Sequence, residues 1–262
     1  MSAGAAVLER LPRDGVTIAA LHAAAAPLTG ALRIEIDPAD KDGWIDRAAL
    51  ADADEGPLAD LNARFVAAGF GANRRAVSAS LLLRYGWAAG FIVATWLARR
   101  EVIRIDDFAL KFSSMTLVEA LWARDVTIVQ SGQDALLASL VAFSEPLVAS
   151  QHRWSGFSRH ALWAMVVSSW AAQFAAIGER LGRRAEAVAE AEALFAADRE
   201  IAAAAPDLYE VSIGGAAQTC QRRAACCLYF KGPRRHFCAS CPIIPATERI
   251  ARNRDWVAAR TS

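Results

Sequence analysis

Apolar residues recur at helical spacing along most of the chain. Leu58, Leu61 and Phe65 lie three and four residues apart, which predicts a helix over residues 57–70 that Gly69 terminates. Asn73 is a side chain suited to an N-cap, and a long helical pattern follows it as far as Arg99. We expect this second helical segment to bend at one of its glycines, Gly86 or Gly90.

Short runs rich in β-branched and aromatic residues interrupt the helical pattern. Because they are short and close in sequence, they predict an antiparallel meander. Three of the runs follow one another, and a fourth, earlier run is expected to join or edge the same sheet; they span residues 102–105, 108–112, 126–129 and 32–36.

The helical pattern then returns for about eighty residues. It predicts helices over residues 134–143, 145–154, 158–181 and 184–197, with Pro206 closing the region. The expected fold class is α+β, predominantly helical, with a small antiparallel sheet and a C-terminal loop that carries all the cysteines. We divide the chain into a scaffold, residues 1–210, and a C-terminal segment, residues 211–262, packed on the same domain.

Charge and hydropathy exclude several classes of protein. The 29 basic residues nearly balance the 28 acidic ones, which argues against a protein that coats nucleic acid. The longest uncharged stretch, residues 161–178, is only weakly apolar and predicts a buried core helix rather than a membrane span. Glu9, Asp14 and His22 argue against a secretory signal. We therefore expect a cytoplasmic protein without a membrane span, whose only membrane contact would be peripheral association with the inner membrane.

The five cysteines all lie between residues 220 and 241. Cys226 and Cys227 are adjacent, with Cα atoms about 3.8 Å apart, too close for an unstrained disulfide. Ten residues then precede Cys238, and two separate it from Cys241. Such clustering in an intracellular chain favours reduced thiolates that bind a metal.

Two kinds of metal centre suit four thiolates in this spacing. A structural zinc site usually takes two separated Cys-x-x-Cys pairs, so an adjacent pair is unusual for zinc. An iron–sulfur cluster has more than one iron, which lets adjacent sulfurs bind different corners of a larger object. The spacing favours a [2Fe–2S] cluster on Cys226, Cys227, Cys238 and Cys241, with zinc as the alternative.

Local charge also favours the cluster. Between Val211 and Thr247 there is no acidic residue, whereas five residues are basic: Arg222, Arg223, Lys231, Arg234 and Arg235. A four-thiolate cluster is anionic and becomes more so on reduction, so basic surroundings stabilise its reduced state. The same charges would attract an anionic ferric chelate or an acidic electron donor.

These residues carry a resemblance to a known family. The run from Arg222 to Phe230, followed by Gly232-Pro233 and by Cys238-Ala239-Ser240-Cys241-Pro242, resembles the C-terminal signature of the FhuF-type ferric siderophore reductases. The resemblance implies a cytoplasmic oxidoreductase that binds one [2Fe–2S] cluster through the four cysteines and reduces iron held by hydroxamate-type siderophores to release Fe(II). The specific match covers about thirty residues, and Cys220 lies outside it as a plain buried thiol or a substitute ligand.

The resemblance also implies a cleft for the siderophore and an electron donor. We take Arg74, Arg84, Tyr85, Arg234 and Arg235 as candidate substrate residues. No nucleotide or flavin motif is visible, which predicts an external donor, either a ferredoxin or a flavin or NAD(P)H reductase. Two other functions stay open at this point: an iron–sulfur electron-transfer or sensor protein without a siderophore pocket, and a zinc-stabilised binding domain.

Overall fold

The computed structural model describes residues 16–70, 72–232 and 236–259. Glu9, Asp14, Arg234 and Arg235 therefore lie outside the described residues. The helices within the described ranges are α1 (Ile18–Ala25), α2 (Gly56–Phe65), α3 (Arg74–Tyr85), α4 (Gly90–Arg99), α5 (Gln133–Ser155), α6 (Arg159–Arg180), α7 (Arg184–Ala196), α8 (Arg199–Ala204) and α9 (Ala246–Ala258). The strands are β1 (Arg33–Glu35), β2 (Trp44–Asp46), β3 (Val102–Phe112), β4 (Val118–Val129), β5 (Asp207–Ile213) and β6 (Ala216–Arg222).

The predicted fold class is confirmed: the protein is α+β and mainly helical. Four strands form a sheet in the order β1-β4-β3-β2, and a separate two-stranded sheet pairs β5 with β6. The larger sheet is mixed rather than purely antiparallel, because β1 pairs in parallel with β4 while the other pairs run antiparallel. The run at residues 32–36 does join the sheet, as an edge strand.

Helix α6 is the centre of the molecule. It packs against α3, α4, α5, α7 and α8, and every residue from Ala161 to Ala171 is buried. Trp163 and Trp170 are fully buried within it, as expected for a helix that is enclosed by others, and its buried polar residues, Ser168, Ser169 and Gln173, donate hydrogen bonds to backbone carbonyls. Two apolar segments, Arg74–Arg99 and Arg159–Arg180, are long enough to cross a membrane, and 83% and 89% of their most apolar windows are buried within the fold.

The break between α3 and α4 follows the prediction from the glycines. The Asn73 side chain accepts hydrogen bonds from the backbone amides of Arg75 and Ala76 and so caps α3. A 3₁₀ turn, Gly86–Ala89, then separates α3 from α4. Because Gly86 has no side chain, α3 comes close to α6 at this point.

Several elements differ from the sequence-based expectation, among them α2, which ends at Phe65 and is followed by a π-helical turn over Val66–Phe70. The runs 102–105 and 108–112 form one strand, β3, whose register shifts at Ile105 and Asp107 where the polar residues fall. Helix α5 continues through Pro146 instead of ending before it, because the flanking Phe143, Leu147 and Val148 are buried and outweigh the lost hydrogen bond. Strand β4 begins at Val118 rather than at residue 126, and helices α1, α8 and α9 and strand β2 were not expected.

The first part of the cysteine segment is a β-hairpin and not a loop. Strands β5 and β6 pair from Asp207–Arg222 to Ile213–Ala216, and Gly214 and Gly215 form the two-residue turn with φ of 56° and 86°. Positive φ at both positions is the conformation that glycine adopts most readily in tight hairpins. The division drawn at residue 210 falls inside β5.

Candidate metal centre

Two turns bring the cysteines of the C-terminal segment together. The backbone amide of Arg223, just after β6, donates to the Ser240 carbonyl at 3.1 Å, which joins the approach to Cys226 to the Cys238–Cys241 turn. Within that turn the Cys241 amide donates to the Cys238 carbonyl at 3.1 Å. Both parts of the four-cysteine motif are thus held against each other by backbone hydrogen bonds.

The chain reverses sharply after Cys227. Leu228 has a positive φ of 57°, and its amide donates to the Cys226 sulfur at 3.3 Å. A short 3₁₀ helix, Tyr229–Lys231, follows and leads to Gly232. A Cβ atom on Gly232 would lie 3.2 Å from the Gly69 carbonyl oxygen, so this glycine allows the loop to lie close to the π-helical turn Val66–Phe70.

The four sulfurs of the motif lie at the edge of the core. Cys227 and Cys241 are buried, whereas Cys226 and Cys238 are half-buried. Cys227 belongs to the main hydrophobic cluster of the molecule, and Cys238 packs against that cluster. The site therefore has one wall in the core and one side towards solvent.

The sulfurs interact in two pairs. The Cys227 thiol donates to the Cys238 sulfur, and this hydrogen bond raises the pKa of Cys227 and holds the pKa of Cys238 well below its ordinary value, at about 5. Burial raises the pKa of Cys226, which is also hydrogen-bonded to Cys241. At neutral pH the site thus holds at least one thiolate, on Cys238.

Arg223 is the cation of this site. Its Nη2 atom lies 3.6 Å from the Cys227 sulfur and in direct contact with the Cys238 sulfur, and its Nη1 atom lies 3.9 Å from the sulfur of Met165 on α6. The side chain is only 2% exposed. Burial lowers the pKa of Arg223, but the charges of the neighbouring thiolates outweigh that effect and raise it.

A layer of aromatic rings covers the other side of the loop. Tyr229 lies between Phe70 and His236, with ring centroids 5.5 Å and 5.0 Å away. The Phe230 and Phe237 rings stack at 4.7 Å. These contacts link the segment that ends at Gly232 with the segment that begins at His236.

Arg84 is the one predicted substrate residue that the described structure brings to the cysteines. Its guanidinium carbon lies 4.6 Å from the centroid of the Phe70 ring. Burial lowers the pKa of Arg84, while its electrostatic interactions with Tyr229 and Cys227 oppose that shift. Arg84 therefore adds a second, half-buried positive charge near the thiol site.

The other predicted substrate residues lie elsewhere. Arg74 is exposed at the start of α3, about 15 Å along the helix axis from Arg84, where its guanidinium lies over the Trp154 ring. Tyr85 is 1% exposed, and its hydroxyl donates to the Phe143 carbonyl at 2.6 Å. Arg234 and Arg235 fall outside the described residues.

Cys220 occupies a different part of the structure from the four motif cysteines. It lies on β6 opposite Tyr209 and belongs to a small apolar cluster with Val211 and Val257. Burial raises its pKa, which keeps the thiol protonated. These surroundings are those of a plain buried thiol.

A groove of about 310 Å³ lies beside Cys220. Its floor is formed by alanines of α6, and two exposed tryptophans, Trp87 and Trp256, stand at its sides. Asn253 on α9 connects this region to the cysteine turn, because its amide donates to the Tyr209 hydroxyl at 2.8 Å and to the Ala239 carbonyl at 3.1 Å.

The donor set suits a four-thiolate centre: four sulfurs, one of them a thiolate, next to an arginine that can balance their charge. Within residues 16–70, 72–232 and 236–259, no three histidine, cysteine, aspartate or glutamate side chains surround a common point at the spacing of a single metal ion. To bind a metal centre, the four sulfurs must therefore break the two thiol–sulfur hydrogen bonds, Cys227 to Cys238 and Cys226 to Cys241, and change position.

In the sequence Arg223 is one of five basic residues near the cysteines and was not expected to differ from the others. Its place directly after a strand and three residues before Cys226 was the available signal. Met165 and the Phe70 ring could not be foreseen, because they reach the site from helices distant in sequence.

No protein-family model matches the chain, and no curated protein matches it significantly. The resemblance to the FhuF-type reductases therefore rests on the cysteine motif and its neighbours.

Proposed function

We propose that this protein is a cytoplasmic ferric siderophore reductase that holds one [2Fe–2S] cluster on Cys226, Cys227, Cys238 and Cys241. The observation that carries the proposal is the meeting of all four motif sulfurs beside a buried arginine, while Cys220 lies in a separate apolar cluster. When bound, such a cluster supplies one electron at a time.

The substrate in this proposal is an Fe(III) chelate, of the hydroxamate type. Oxygen donors hold Fe(III) tightly and Fe(II) far more weakly, so the gain of one electron by the chelated iron leads to release of Fe(II). The electron comes from an external ferredoxin or flavin or NAD(P)H reductase. The protein's own residues have to bind the chelate close to the thiol site and keep that site stable in two charge states.

The half-buried sulfurs, Cys226 and Cys238, mark the side from which the chelate is reduced. Basic residues suit this role, because they attract an anionic chelate towards the site. Arg84 is the best placed of the described candidates, and Arg234 and Arg235 follow from the sequence alone. Arg223 balances the charge of the sulfurs from the buried side.

The free thiols support a reducing compartment. All five cysteines are free, although four of them meet in one small region. In an oxidising compartment close thiols would tend to form disulfides, whereas the cytoplasm keeps them reduced.

The test is oxidation of the reduced protein by a ferric chelate. The protein is purified without oxygen, reduced with one electron equivalent of dithionite so that no reductant remains, and mixed in a stopped-flow instrument with a ferric trihydroxamate. We expect the visible absorption of the oxidised form to return at a rate that rises with chelate concentration, with one Fe(II) trapped by a ferrous-specific chelator for each electron stored.

Two matched variants sharpen the test. Cys241→Ser removes a motif sulfur and should abolish both the visible absorption and the reaction, whereas Cys220→Ser should retain both. If the reduced wild-type protein persists in the presence of ferric chelates, the electron-transfer or sensor function replaces the proposal. Stoichiometric zinc without iron would replace it with a zinc-stabilised binding domain.

A further inference from the structure

Arg223 has sulfur atoms where a buried arginine usually has carboxylates. Its side-chain nitrogens contact the sulfurs of Cys227, Cys238 and Met165. Its Nε atom has no hydrogen-bond partner, and no ion pair to a carboxylate occurs for it among the described residues. An unpaired charge that is 2% exposed is strongly disfavoured, so the Cys238 sulfur, which Arg223 contacts directly, is the counter-charge that keeps this guanidinium in the interior.

The neighbouring arginine shows that this arrangement is specific to Arg223. Arg222 carries the same charge one residue earlier, but it lies at the surface and pairs with Asp207 across the hairpin at 2.7 Å. Its side chain is 46% exposed, so solvent and the carboxylate both screen its charge. Arg222 is therefore a matched control for Arg223.

Arg84 reaches the same site from α3. Its guanidinium lies over the Phe65 and Phe70 rings, at 5.3 Å and 4.6 Å, and Nη1 donates only to the Ser80 carbonyl of its own helix at 3.1 Å. Its Nε atom also has no partner, and among the described residues it too forms no ion pair with a carboxylate. It interacts electrostatically with Cys227, and it makes no hydrogen bond to a sulfur among the described residues.

We infer that Arg223 and Arg84 are positioning residues whose charges set the reduction potential of the four-cysteine centre, with Arg223 dominant. This inference rests on the proposed function. It explains which residues control the driving force for reducing the ferric chelate. Reduction adds one negative charge to the centre, and a nearby cation or an N–H···S hydrogen bond stabilises that charge. The effect is large in the interior because few water molecules screen it.

Arg223 and Arg84 should raise the reduction potential of the centre by different amounts. Arg223 contributes both its charge and its contacts with sulfur, whereas Arg84 contributes charge from a greater distance. Neutral replacements should therefore lower the reduction potential, more for Arg223→Gln than for Arg84→Gln. Arg223→Lys retains the charge but not the planar guanidinium, so its potential should lie between those of the wild type and Arg223→Gln.

The experiment is an anaerobic redox titration of the iron-loaded full-length protein, followed by electron paramagnetic resonance of the reduced form. Iron content and the visible spectrum are measured on each variant, so that potentials are compared at equal loading. At the wild-type midpoint potential, Arg223→Gln should show at least about a tenfold lower ratio of reduced to oxidised centre, which corresponds to about 59 mV for one electron. The surface variants Arg222→Gln and Arg75→Gln should keep the wild-type midpoint.

The outcomes separate this inference from the proposed function. A wild-type protein that loads a cluster but whose midpoint is unchanged by Arg223→Gln and Arg84→Gln overturns the inference alone. An equal shift in Arg222→Gln also overturns it, because general surface charge would then explain the effect. If Arg223→Gln does not fold or load, Arg84→Gln and Arg223→Lys still decide, because each should have a midpoint below that of the wild type, and wild-type midpoints in both would overturn the inference. A wild-type protein that binds only zinc overturns both.

Discussion

The contact between Gly86 and α6 gives a prediction about the packing that places both arginines. Arg84 lies two residues before Gly86, and Met165, which contacts Arg223, lies on α6. A Cβ atom on residue 86 would lie 2.7 Å from the Ser169 Cβ and 3.0 Å from the Val166 carbonyl oxygen. Gly86→Ala should therefore push α3 and α6 apart.

The expected magnitude follows from two opposing effects. Gly86 has helical φ and ψ of −54° and −24°, so alanine is compatible with its backbone and reduces the entropy of the unfolded chain by about 0.4–1 kcal/mol. Overpacking in a closed core costs about 1–3 kcal/mol. Rotation of the Ser169 side chain cannot relieve this contact, because the nearest atoms are its Cβ and the Val166 carbonyl oxygen, both of which are fixed by the backbone of α6. We expect a net loss of about 1–2 kcal/mol in the free energy of unfolding.

The assay is thermal unfolding followed by far-ultraviolet circular dichroism. A loss of this size should lower Tm by about 2–8 °C in a chain of this length. Gly132→Ala is the control, because Gly132 is extended and a Cβ there meets nothing within 4 Å. The entropy gain there opposes a weakened N-cap, so its Tm should change by less than about 2 °C. A Gly86→Ala protein as stable as the wild type would refute the close-packing argument.

Three further predictions concern other contacts. Tyr85→Phe removes the buried hydrogen bond to the Phe143 carbonyl and should lower the free energy of unfolding in urea by about 1 kcal/mol; an unchanged denaturation midpoint would show that this hydrogen bond contributes nothing. Burial raises the pKa of Glu190, but the hydrogen bonds and charge of Arg100 outweigh it, so the folded-state pKa is lowered. The wild type should therefore have a free energy of unfolding about 0.5 kcal/mol higher than that of Glu190→Gln at pH 7. This difference should disappear as the pH falls below the ordinary pKa of a glutamate. An equal difference at pH 7 and pH 3 would contradict the prediction. In the metal-free protein the lowered pKa of Cys238 predicts that iodoacetamide modifies it first at pH 6.5, as peptide mass spectrometry would detect; equal labelling of all five thiols would contradict this.

Local signals in the sequence were sufficient to predict several helix boundaries of the scaffold. Asn73 caps α3, and Gly86 marks the bend before α4, because both features depend on neighbouring residues alone. The continuity of α5 through Pro146 could not be predicted in this way, since burial of the flanking side chains decides it. The β5–β6 hairpin has a local signal in Gly214 and Gly215, since adjacent glycines favour a two-residue hairpin turn, although it was not predicted.

The residues of the candidate centre likewise fall into two groups, those that a local sequence pattern identifies and those that only the packing of the helices brings to the site. Spacing and the family resemblance singled out the four motif cysteines but left Cys220 as either a plain buried thiol or a substitute ligand, and the fold places Cys220 in another apolar cluster. The positions of Arg84 and Met165 depend on how α3 and α6 pack, and a single sequence does not encode that packing in any local pattern. The pairing of Arg222 with Asp207 and the burial of Arg223 likewise follow from the hairpin that precedes the cysteines.

The most direct test of the account is the metal and sulfide content of the wild-type protein purified without oxygen. A [2Fe–2S] centre on the four motif cysteines predicts two irons and two acid-labile sulfides per chain, both lost in Cys241→Ser and kept in Cys220→Ser. One zinc per chain, with neither iron nor sulfide, would contradict it.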